Sequence, residues 1–184
     1  MFILNINSSP RKNGNSVILS RKLCNAARNN GHTVKTVNLY DMTIKGCIAC
    51  ESCTQRKVEY CIHEDDLTKI SPDIINADVL VFSTPIYMGH MNGLLKVFLD
   101  RWYTFAEEDF SIRHVMGKKF ITITTSGAPA EQFAEVTTYF KKWFGEFFKL
   151  EYIDSIIAGE LTEQGEAENR PELLAQAEKI GASL

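Results

Sequence analysis

Short apolar runs alternate along this chain with longer stretches whose apolar residues recur every three or four positions. That alternation restricts the fold more than any other feature. The runs Phe2–Asn7, His32–Tyr40, Asp78–Thr84, Lys118–Thr125 and Tyr152–Ala158 read as strands. Val79 to Phe82 and the first run are apolar at most positions, as strands covered on both faces must be. Between them, Ser16–Asn30, Asp65 or Asp66 to Asn76, Gly93–Tyr103, Ala130–Leu150 and Pro171–Ser183 read as helices. Ser16 is placed to cap the first helix, with Leu19, Leu23, Ala26 and Ala27 facing inward and Gly31 stopping it. Strict strand–helix alternation predicts an α/β fold, a doubly wound five-stranded parallel sheet of order 2-1-3-4-5 with helices on both faces. The 184 residues suit one domain spanning 1–184, carrying an irregular cysteine-bearing insert at about 41–64. In such a sheet, ligands bind beyond the carboxyl ends of the strands, where strands one and three part. Three polar or glycine-bearing loops reach that place: 8–16, 85–92 and 125–129.

Charge and hydropathy narrow the partners. A net charge of −3 and a pI near 5.8 argue against a nucleic-acid binder or an anionic-membrane binder, both usually basic. No run approaches the roughly 18 apolar residues of a membrane helix, and no basic segment precedes the short apolar N-terminus. The expectation is a soluble cytoplasmic protein with no membrane partner.

The loop Ser8-Ser-Pro-Arg-Lys-Asn-Gly-Asn-Ser16 joins a strand to a helix. Free N–H groups at a helix N-terminus, hydroxyls and an arginine together suit an anion. The glycine spacings of triphosphate and dinucleotide loops are missing, so the pattern suits a monophosphate. A solvated turn with a capping serine is the plainer reading. The loop Thr84-Pro-Ile-Tyr-Met-Gly-His-Met-Asn-Gly93 combines rigid Pro85, flat Tyr87, soft Met88 and bare Gly89, which suits a planar apolar ligand with polar edges. Packing of a buried loop would use the same residues.

On Ser9–Ser16, on Thr84–Gly89 continuing to Asp100-Arg-Trp102, and on Thr125-Ser-Gly127, the sequence resembles the NAD(P)H-dependent FMN reductase family of flavodoxin-like proteins, including its iron-sulfur flavoprotein branch. The likeness covers about residues 1–150. It implies that Ser9, Arg11, Asn15, Ser16 and Val17 hold the FMN phosphate. It implies that Pro85, Ile86, Tyr87, Met88 and Gly89 line the isoalloxazine, and that Ser126 and Gly127 close the site. It further implies NAD(P)H as reductant, a flavin, quinone or protein as electron acceptor, and a homodimer or higher homo-oligomer. No Ser-His-Asp set or paired carboxylate stands out, and hydride transfer requires none.

Cys47-x2-Cys50-x2-Cys53-x7-Cys61 resembles the compact motif of iron-sulfur flavoproteins, where four thiolates hold a [4Fe-4S] cluster. That reading gives an alternative function, an electron carrier supplied by a ferredoxin rather than a nicotinamide. Structural or empty thiols, zinc, and a disulfide are the other readings; with zinc the flavin site would be vestigial. Cys24 reads as a core residue, His63 as a candidate additional ligand and His90 as an exposed loop histidine. In the long helix, Phe133, Val136, Phe140, Trp143 and Phe147 form a stripe, with Tyr139, Phe144 and Phe148 beside it. This is more apolar surface than one sheet face needs, which reads as core packing or a dimer seam.

Overall fold

The computed structural model describes all of residues 1–184. Five parallel strands form its sheet: β1 (Phe2–Asn7), β2 (Thr33–Asn38), β3 (Val79–Tyr87), β5 (Lys119–Thr125) and β6 (Glu151–Ala158). Their spatial order is β2-β1-β3-β5-β6, the doubly wound order the alternation predicts. The helices are α1 (Asn15–Asn29), α2 (Asp66–Asn76), α3 (Gly93–Asp100), α4 (Ala134–Phe140) and α5 (Pro171–Ala182).

Side chains alternate across a strand, so each strand feeds two cores. Leu4, Ile6, Leu80, Phe82 and Phe120 pack toward α2, α3 and α4. Ile3, Val79, Val81, Ile121, Ile123 and Ile156 pack toward α1 and α5. The α1–α5 contact is close enough that a Cβ on Gly181 would lie 2.1 Å from the Leu23 carbonyl oxygen.

Three expectations change. β3 runs on to Tyr87 and folds back as a hairpin on β4 (His90–Met91), where a loop was expected. Its two central residues, Met88 and Gly89, have φ of 49° and 84°, the double left-handed conformation whose twist matches a hairpin. α1 begins at Asn15 behind Gly14, so Ser16 lies inside the first turn and is not the cap.

The stretch 130–150 is not one α-helix. A 3₁₀ turn (Ala130–Phe133) leads into α4, which continues as a π-helical segment (Lys141–Phe147). The wider π turn keeps residues four apart on one face. Phe140, Phe144 and Phe148 make the buried stripe, and Phe144 meets Trp102 edge-to-face at 4.7 Å between ring centroids. Trp143, expected in that stripe, is turned outward and 42 % exposed.

Residues 42–64 contain no helix or strand. A buried ion pair fastens the end of this segment. Asp65 caps α2 by accepting from the Thr68 N–H. It also meets Arg101 through two bonds of 2.7 and 3.3 Å, with side chains only 4 % and 2 % exposed. Arg101 donates to the Lys45 carbonyl at 2.8 Å, and the Lys45 N–H donates back to Asp65 at 3.0 Å. Burial pushes the Asp65 carboxyl upward, but the Arg101 bond and the Lys45 and Thr68 N–H groups outweigh it and hold the group below its usual range.

Candidate functional site

The cleft at the carboxyl ends of β1, β3 and β5 gathers loops far apart in sequence. Ser9, Arg11, Asn15 and Ser16 come from the first loop and helix turn, Pro85 to Tyr87 from the end of β3, and Ser126 and Gly127 from the loop after β5. The loops are tied to one another. Ser8 donates its N–H and its hydroxyl to the Ser83 carbonyl, at 3.0 and 3.1 Å. Ser83 Oγ donates to the Ser16 carbonyl at 2.9 Å. Asn92 donates to the Ser8 carbonyl at 2.7 Å and accepts from the Leu95 N–H at 3.1 Å, so one side chain both caps α3 and holds the first loop. Leu161 donates its N–H to the Ser126 carbonyl at 2.9 Å.

The first loop curls tightly ahead of α1. Ser9 Oγ accepts from the Arg11 N–H at 3.1 Å, and the Gly14 N–H donates to the Arg11 carbonyl at 2.9 Å, curling the chain tightly. A Cβ on Gly14 would sit 2.7 Å from Ser9 Oγ and 3.1 Å from the Arg11 carbonyl oxygen, so a larger residue would displace the Ser9 hydroxyl. The N–H groups of Asn15, Ser16 and Val17 stand in the first turn of α1, where helix geometry supplies no acceptor. Ser16 Oγ is buried and has no hydrogen-bond partner. A buried hydroxyl left without a partner is costly unless something enters to meet it. Free N–H groups, an orphaned hydroxyl and Arg11 around one curl fit a phosphate.

Not every expected residue faces the cleft. Met88 is fully exposed at the hairpin tip beside Gly89, and neither lines the enclosed part. Val17 lines a neighbouring cavity instead. The Asn15 side chain is already engaged: it donates to the Glu163 carbonyl at 2.9 Å and accepts from the Ala167 N–H at 3.0 Å. It positions the segment after β6, leaving only its backbone N–H for an anion. That segment contributes Leu161, Thr162 and Gln164 to the cleft, which the sequence reading missed. Its signal was present, because it too follows the carboxyl end of a strand. Gly159 brings it in close, with room for a Cβ denied by the Ala130 nitrogen at 2.3 Å.

Cys47 and Cys50 are exposed and Cys53 and Cys61 half-buried. No three His, Cys, Asp or Glu side chains stand together as a metal-holding group. No cluster-binding group therefore supports the expected metal site on Cys47, Cys50, Cys53 and Cys61. Ala49 and Glu51, between the first three cysteines, take left-handed φ of 52° and 59°. Cys50 is held by the Ser52 N–H and hydroxyl, which lower its thiol pKa. Burial raises Cys53, reinforced by the nearby Cys61 and Cys47.

No helix is long and apolar enough to cross a membrane. The sequence matches the flavodoxin-like fold family over residues 1–181. A relative named an iron-sulfur flavoprotein, from Archaeoglobus fulgidus, is 30 % identical over 127 residues, 69 % of this chain and 60 % of its own length. The chain spans between 50 % and 64 % of the length of the curated relatives it matches. Among solved structures, an NAD(P)H:quinone oxidoreductase from Methanothermobacter marburgensis superposes with a TM-score of 0.78 at 17 % identity, covering 100 % of this chain and 96 % of that one. An FMN-dependent NADH-azoreductase from Bacillus anthracis, solved in complex with FMN, superposes with a TM-score of 0.74 at 16 % identity, over 100 % and 99 % of the two chains. With the sheet order, the two-sided core and a match over nearly its whole length, this chain belongs to the flavodoxin-like fold family.

Proposed function

We propose that the cleft binds FMN without a covalent link and that the protein is an NAD(P)H-dependent oxidoreductase. The observation that carries this reading is the orphaned Ser16 hydroxyl within a glycine curl, at the point where three loops converge. Bound there, the group would supply redox chemistry between NAD(P)H and an acceptor such as a flavin or a quinone. Ser9, Arg11, Ser16 and the first-turn N–H groups would hold the phosphate. Pro85, Ile86 and Tyr87 would carry the ring, with Ser126 and Gly127 closing the far side. The enclosed volume, about 190 Å³, is below the 300–1,000 Å³ or so of a drug-sized pocket. The ring would therefore lie across the open mouth beneath the Met88–Gly89 hairpin tip, exposed to an incoming reductant.

The same proposal takes residues 1–184 as one domain with an insert at 41–64, and places it in the cytoplasm. Five free cysteines suit a reducing compartment. It takes the protein as a homodimer or higher homo-oligomer, because Tyr103, Phe110 and Trp143 stay exposed around an apolar hollow. A second reading, an iron-sulfur electron carrier, is favoured by the names of relatives, though no three metal-holding side chains stand together. The test is anaerobic purification with FMN reconstitution, followed by NADPH and NADH oxidation assays with an added quinone and iron and sulfide analysis of the same sample. Turnover with flavin and no iron supports the first reading. Stoichiometric iron without nicotinamide oxidation supports the second, and failure to bind FMN removes both.

A further inference from the structure

A second cavity, of about 520 Å³, opens on the other side of the first loop, between α1 and the edge strand β2. Its floor is polar where a parallel sheet is normally apolar. Asn5 and Asn7 stand in β1 on the face otherwise occupied by Ile3, and are 1 % and 2 % exposed. Register places them beside Thr36 and Asn38 of β2. The side-chain bonds across that step are long: Asn5 Nδ2 to Thr36 at 3.4 Å and Asn7 Nδ2 to Asn38 at 3.5 Å. Asn5 Oδ1 is buried with no partner. Asn7 Oδ1 accepts from Ser20 Oγ at 2.9 Å, which leaves the Asn5 oxygen as the unpaired acceptor of the floor. Asparagine is depleted in strands and an unpaired buried amide is unfavourable, so this pair on one strand face needs a reason that the flavin cleft does not supply.

The walls are cationic. Arg11, Lys12, Arg21 and Arg28 line the cavity against a single carboxylate, Asp41, in a chain whose net charge is negative. Arg11, Lys12 and Arg28 make no ion pair, and Arg21 meets only Glu168, at 3.6 Å. Tyr40, 61 % exposed, stands at the rim. We propose that this cavity is a binding site for a small phosphomonoester. Its phosphate would lie between Arg28 and the Arg11–Lys12 pair, and its hydroxyl-bearing body on the Asn5–Asn7–Asn38 floor. Guanidinium groups suit a phosphate, and amides, which both donate and accept, suit sugar hydroxyls. The site shares Ser9 and Arg11 with the proposed FMN cradle, so its occupancy would bear directly on the phosphate loop.

The test is a ¹⁵N NMR titration of the full chain, FMN-loaded and flavin-free, with inorganic phosphate, then ribose 5-phosphate, then AMP. The expected result is saturable movement of the Asn5, Asn7 and Asn38 side-chain amides in both forms, with ribose 5-phosphate binding at least about tenfold more tightly than phosphate. Arg28→Gln and Asn38→Ala, both at exposed positions, should each weaken ribose 5-phosphate about tenfold and leave FMN binding unchanged. Shifts confined to residues 9–17, or none at all, would overturn the site. Equal affinity for phosphate and ribose 5-phosphate, or variants that bind as the parent does, would overturn the phosphomonoester assignment. A chain that fails to take up FMN overturns the flavin reading alone, since the titration runs equally on the flavin-free protein.

Discussion

Replacing one member of the Asp65–Arg101 pair should be among the most damaging single changes available outside the cores. Both side chains are almost wholly buried, the contact has two bonds, and each partner also holds the backbone of Lys45. Removing one partner leaves a charge stranded in a site closed to water, at about 3–5 kcal/mol. Asp65→Asn and Arg101→Met should each lose that much. In urea, with a slope of about 1–3 kcal/mol/M, the midpoint should drop by about 2 M. The double replacement Asp65→Leu with Arg101→Met removes both charges together. It should forfeit only the α2 cap and the Lys45 bonds, about 1–2 kcal/mol, and so be more stable than either single variant. The pH dependence has a definite sign. The folded Asp65 carboxyl titrates below its unfolded value, so its contribution is complete above about pH 4 and fades as pH falls through the folded pKa. Asp65→Asn should lack that acid-side loss. Denaturation curves from about pH 3 to 7 read all of these. Single variants costing under about 1 kcal/mol, or a double equal to the sum of the singles, would refute the reasoning.

Ser16→Ala should weaken FMN about 10- to 100-fold, from one lost charge-assisted bond, yet leave thermal stability unchanged or slightly raised because the hydroxyl has no partner in the empty fold; fluorescence titration and melting check the two signs together. Gly181→Ala should destabilise by about 1–3 kcal/mol, since the clash with the Leu23 carbonyl outweighs a helix-propensity gain of up to about 1 kcal/mol; calorimetry reads the difference. Alkylation by iodoacetamide near neutral pH should reach exposed Cys50 first and Cys24 last, because Ser52 lowers the first thiol while burial pushes the second up to about 12; mass spectrometry gives the order.

The sheet was legible because the central strand β3 opens on a continuous apolar run, the flanking strands are rich in β-branched and apolar residues, and the intervening helices carry their own period. The anion cradle was legible because it needs a strand, a glycine and a helix start in immediate succession. Features set by tertiary contact were hidden. The π segment arises from phenylalanines four apart sharing a pocket beside Trp102, and the sequence shows only an aromatic-rich helix. The hairpin at Met88–Gly89 requires a methionine in the left-handed region, against its own preference. Arg101 and Asp65 lie 36 residues apart, and nothing local announces their pairing. The cysteine spacing carried a metal expectation, and the left-handed turns at Ala49 and Glu51 between those cysteines were not legible in it.

The α1–α5 contact also bears on how the molecule comes into being. The helix α1 is synthesised about 140 residues before residues 167–181, which pack against it. Asn15 waits for Glu163 and Ala167, and Asn30 for Ala182. Until those residues leave the ribosome, β1 and β3 have paired partners but the cleft lacks a wall. Such sequence-distant closure slows folding. A nascent chain stalled before residue 160 would hold a sheet without a finished binding site, and would gain the wall and the α1–α5 packing only once residues 161–182 emerge.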